Sequence, residues 1–134
     1  MSWALVAAGS MMLVGAVVHG VVGDEALRKI GREQLPSNRF GGPGNTRVVL
    51  RISWHFVTIA FALLGGWLIA TGIQPEATFA AGITYLSGTL LSCYALLGLV
   101  TTVYRRGPVG IFKHPGPLIL SAAALLVWLG STSV

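Results

Sequence analysis

Three histidines are the side chains of this sequence best suited to chemistry, and their places along the chain are related. His19 lies about one turn before the end of the first apolar run, and His55 lies one to two turns inside the second. At a rise of about 1.5 Å per residue, both fall roughly 6–12 Å inside the same membrane boundary. His114 begins the fourth apolar segment on that same side. Ionisable groups inside a span are rare and costly, which makes function the first reading for His19 and His55. The plainer reading is an imidazole hydrogen-bonded between helices. For His114, ahead of Pro115-Gly116-Pro117, it is a helix cap near water.

Three chemistries suit such a constellation. Axial ligation of b-type haem needs two imidazoles at matched depth on neighbouring helices, so His19 and His55 are the candidate cofactor ligands. A transition-metal site needs about three or four donors, which His19, His55 and His114 with Asp24 or Glu25 supply. Cofactor-independent acid–base work on a lipid head group needs an imidazole oriented by a carboxylate. Gly15 and Gly23 stand four residues before and after His19, opening a groove on its helical face. His55 shares its face with Thr58, Ala62 and Gly66. No tight ligand motif such as H-x-x-x-H selects among the three.

The elements that must hold these residues are transmembrane helices. Hydrophobic residues make up 54% of the 134, and charged ones only 10%. A soluble domain carries about 25% charged residues, so lipid must be the solvent for much of this chain. One domain over 1–134 is expected, an all-α, antiparallel up-down-up-down four-helix bundle with spans at roughly 3–23, 48–71, 77–104 and 117–132. The first run lacks a preceding basic residue and a cleavage site, and so reads as a retained helix. Asp24–Leu35 either prolongs that helix or lies along the interface. Pro36–Asn45 is turn chemistry, after which Asn45 or Thr46 caps the second helix. Trp54 and Trp67 fit aromatic belts near the ends of that helix. Glu76 is expected in the first turn of the third helix, where the dipole favours an acid, and Pro117 in the first turn of the fourth.

All nine basic residues fall in 24–51 and 105–113, which the topology puts on one face. Positive-inside bias makes that face cytoplasmic and both termini non-cytoplasmic. Arg28, Lys29, Arg32, Arg105 and Arg106 are placed to meet anionic lipid head groups. The net charge of +5 does not point to nucleic acid, since the basic residues flank apolar spans instead of lining a soluble face. Cys93, the single cysteine, lies in an apolar run and reads as a small core residue, as Met11 and Met12 read as core. Ala16/Gly20, Ala62/Gly66/Ala70 and Thr84/Gly88/Ser92 are small-residue series suited to close helix packing.

The run His19-Gly-Val-Val-Gly23-Asp24, followed by Arg51-Ile-Ser-Trp54-His55, resembles a group of small bacterial inner-membrane proteins of four helices. Their first helix ends in H-x-x-x-G-E and their second begins with R-x-x-W-H. Asp24 stands where the group's pattern has Glu, which shortens the carboxylate's reach. The resemblance implies the four-helix fold and pairs His19 with His55, but implies no chemistry. Three functions are therefore expected: a haem- or metal-binding protein using His19 and His55, an accessory or assembly subunit of a larger membrane complex, or a transporter or enzyme handling a lipid or small solute. Membrane lipids are the expected partners, with other membrane subunits or a second copy beside them.

Overall fold

The computed structural model describes residues 1–36 and 41–134, without the side chain of Arg32. The expected head-group contact of Arg32, and the turn over 37–40, therefore lie outside the described residues. The described chain is helical: α1 spans Trp3–Lys29, α2 Pro43–Ile73, α3 Ala80–Arg106, α4 Gly110–Lys113 and α5 Gly116–Gly130. Single 3-10 turns cover Arg32–Gln34 and Ser131–Ser133. Helices α1, α2 and α3, and α5 with its closing turn, are each long and apolar enough to cross a membrane. About a third or less of each span is buried within the chain. Val17, Val21, Phe56, Ile59, Leu96 and Leu97 are each more than half exposed, which only a lipid solvent accommodates at this density.

Of the two readings of Asp24–Leu35, prolongation of the first helix holds as far as Lys29, because the charges are spaced i, i+4 and pair along α1: Arg28 with Asp24 and Lys29 with Glu25. Other boundaries depart from expectation. Helix α2 starts at Pro43, not at an Asn45 or Thr46 cap. Proline tolerates the first turn, where its missing N–H has no partner to lose, and the Thr46 hydroxyl donates instead to the Pro36 carbonyl. Helix α3 begins at Ala80, so Glu76 lies in the turn before it and not in its first turn. Pro117 does occupy the first turn of α5. His114 does not begin that helix; it ends α4 as an exposed C-terminal cap. Cys93 is exposed on α3, not core.

The described chain forms two compact units, 13–63 and 1–12 with 64–134, and α1 and α2 each run through both. In the larger unit the helices approach through small residues. A Cβ on Gly9 would meet the Gly65 carbonyl oxygen at 2.5 Å, and one on Gly72 would meet the Ser2 carbonyl oxygen at 2.9 Å. Between lipid-solvated helices no hydrophobic force acts, so such contact must supply dispersion attraction. Leu5, Met12, Leu68, Leu91 and Val127 fill the interior of this unit, and Trp128 packs over Gly88 while its indole donates to Ser92.

Candidate functional site

The smaller unit, residues 13–63, contains the expected pair His19 and His55 together with Asp24 and Glu25. On α1 the spacing His19, Gly23 and the spacing Gly20, Asp24, Arg28 give two neighbouring i, i+4 rows. On α2 the residues Arg51, Trp54, His55 and Thr58 follow at i, i+3, i+4 and i+7, so one face carries all four. Two small assemblies result, one around each histidine.

His19 is held by α2. Trp54 stacks flat on its ring, centroids 4.1 Å apart and planes 4° from parallel, and Phe61 approaches edge-on at 5.8 Å. The Trp54 indole N–H also donates to the His19 carbonyl at 2.8 Å. Gly23 makes the space for this, since a Cβ there would lie 1.8 Å from the indole nitrogen. The Thr58 hydroxyl donates to the Trp54 carbonyl at 3.3 Å and lies 3.0 Å from His19 Nδ1. The hydroxyl accepts from His19 when the ring carries its hydrogen on Nδ1 and donates to the ring in the other tautomer. Trp54 is thus an interhelical residue.

Asp24 is the hub of the second assembly. Its carboxylate meets Arg28 Nη2 at 2.6 Å and Arg51 Nε at 2.7 Å, and its side chain is 15% exposed. His55 Nε2 lies 3.6 Å from the same carboxylate, beyond hydrogen-bond reach but close enough for charge pairing when protonated. The shorter acid at position 24 therefore still reaches across to α2. Nearby, the Arg47 guanidinium donates to the Ile30 carbonyl, placing a cation at the carbonyl end of α1, where the dipole favours it.

Two open depressions meet at His55. One is bordered by ionisable side chains, lined by Gly20, Val21, Asp24, Glu25, Arg28 and His55. The other is apolar along α2, lined by Val48, Arg51, Ile52, His55, Phe56 and Ile59.

The haem and metal expectations find no support in this arrangement. The groove expected beside His19 is filled at Gly23 by the protein's own indole, and His55 turns its Nε2 to Asp24. On the other side of His19, at Gly15, the space is open. Among the described residues, no group of three or more His, Cys, Asp or Glu could hold a metal ion. His114 belongs to the larger unit. Arg105 and Arg106 close α3 as exposed residues, and Lys29 is exposed beside Glu25. Arg51, Trp54 and Thr58 were not expected in the site, although R-x-x-W-H already places the first two on the face of His55.

Fold and site together define a multi-pass membrane protein whose smaller unit carries a carboxylate–guanidinium–imidazole cluster beside an apolar groove. No family model, curated protein or solved structure matches the chain.

Proposed function

We propose that this protein handles a phospholipid, with Arg28, Arg51 and His55 receiving the head group around Asp24 and the Val48–Ile59 face of α2 taking an acyl chain. The observation that carries this reading is the position of His55, which lines both the depression bordered by Asp24, Glu25 and Arg28 and the apolar groove. An amphiphile needs both surfaces in contact. An acyl chain gains little by leaving the bilayer for an equally apolar groove, so selection rests on the head group. Asp24 takes Arg51 through Nε, on the edge of the guanidinium. That leaves the terminal nitrogens, whose fork geometry suits a phosphate. The accessory-subunit and cofactor-binding readings draw no comparable support.

The proposal places the protein in a bacterial inner membrane, its four spans antiparallel, its basic segments cytoplasmic and both termini on the other side. The confinement of all nine basic residues to 24–51 and 105–113 supports this orientation. A reporter fused after Val134 that is active only outside the cytoplasm tests it; activity of a cytoplasm-only reporter there would reverse the orientation.

Native mass spectrometry of the protein released from a mild detergent tests the lipid reading. A retained phospholipid adduct is expected, reduced about tenfold in Arg51→Ala and His55→Ala, since removing charge-assisted hydrogen bonds of about 1.5 kcal/mol costs that factor. Retention of no phospholipid, or of equal amounts in wild type and both variants, sinks the proposal.

A further inference from the structure

We infer that the head group recognised is zwitterionic, a phosphate joined to a primary ammonium. This rests on the lipid reading above and specifies its ligand.

The charge bordering the first depression is not simply basic. Asp24 and Glu25 line it together with Arg28 and His55. A head group with only negative charge would meet two carboxylates there, and one of them, Glu25, is not held by the guanidiniums that surround Asp24. Among the described residues Glu25 pairs with Lys29 at 2.7 Å, and both side chains are more than 60% exposed. An exposed i, i+4 pair of this kind contributes little and exchanges readily for another cation. Asp24, by contrast, is committed to Arg28 and Arg51 on two sides. The division of labour follows. Glu25 is the acid available to a ligand's cation, and Arg28, which gives one terminal nitrogen to Asp24, keeps its other N–H donors for the anion.

Glu25 and Arg28 stand i, i+3 on α1, so their side chains are neighbours on one helix face. A phosphate and an ammonium separated by a two-carbon bridge span such a pair, while a phosphate alone engages only half of it. The lining also selects between kinds of ammonium. A quaternary ammonium has no N–H to donate and is recognised by aromatic faces, and among the described residues no Phe, Tyr or Trp lines this depression. A primary ammonium donates hydrogen bonds to carboxylates, which is what the lining offers.

The test incubates full-length protein in detergent with an equimolar mixture of three phospholipids. They share identical acyl chains but carry ethanolamine, choline or glycerol head groups, and retained adducts are counted by native mass spectrometry. The ethanolamine lipid is expected in at least fivefold excess over each of the others. Glu25→Gln should reduce that excess to parity while total retained lipid persists, and Glu25→Asp should restore part of it. Glu25 is an exposed side chain, so these variants keep the fold. Equal retention of all three lipids, preference for the glycerol or choline head group, or an excess unmoved by Glu25→Gln overturns the inference while leaving phospholipid binding intact. Retention of no lipid at all removes the function proposed above, and this inference with it.

Discussion

The Trp54 indole lies flat on the His19 imidazole and donates its N–H to the carbonyl of the same residue. One side chain of α2 therefore reads both the ring and the backbone of one residue of α1. The contact exists because position 23 has no side chain, and it fixes the rotation at which Asp24 faces Arg51 and His55. Four expectations follow from this arrangement and its neighbour.

Gly23→Ala should lower stability by about 1–3 kcal/mol, the range for overpacking a closed contact. Its new methyl would overlap the indole at 1.8 Å. Gly15→Ala, on the same face, meets nothing within 4 Å and should change stability by less than about 0.5 kcal/mol. Detergent-resistant unfolding of the two variants side by side checks this, and equal effects would remove the special role of position 23.

Thr58→Val keeps the shape of the side chain but leaves His19 Nδ1 without its hydroxyl partner. A loss of about 1 kcal/mol is expected, with Thr58→Ser losing less because the hydroxyl is retained. The comparison needs only thermal unfolding of the three proteins. A valine variant as stable as the serine one would show that the Nδ1 contact contributes nothing.

Arg28 and Arg51 both pair with Asp24, yet only Arg51 does so from the other helix. Arg51→Ala should therefore lower the unfolding midpoint more than Arg28→Ala, which breaks a local i, i+4 pair. Increasing salt should narrow the difference, since both guanidiniums are more than half exposed. An Arg28 variant as destabilised as the Arg51 variant would contradict the interhelical role.

The purified protein should show no Soret band, because the indole of Trp54 takes the space beside His19 that a macrocycle would need. An absorption spectrum recorded before and after addition of haem checks this. A stoichiometric band lost in His19→Ala would restore the axial-ligand reading.

The spans themselves were legible in composition and hydropathy, and the shared neighbourhood of His19 and His55 in their positions along the chain. What the sequence withheld was rotation. In water, an amphipathic stripe tells which face of a helix is inside, but a lipid-solvated helix is apolar all round and carries no such label. Cys93 therefore read as core, whereas it is exposed, and the packing of Trp54 between helices went unread. Glu76 fell outside the first turn of α3 for a different reason: residues 74–79 form turns before the helix begins. The continuation of α1 through its charges depended on pairs at i, i+4 that also suit an interfacial segment.

The exposed thiol of Cys93 has a practical consequence. With one cysteine in the whole sequence, no disulfide can close within a chain, so oxidation either joins two copies through α3 or joins none. A covalent dimer formed in the membrane would record a neighbour at that helix face directly, and a probe attached there reports from a single known position without any engineered residue.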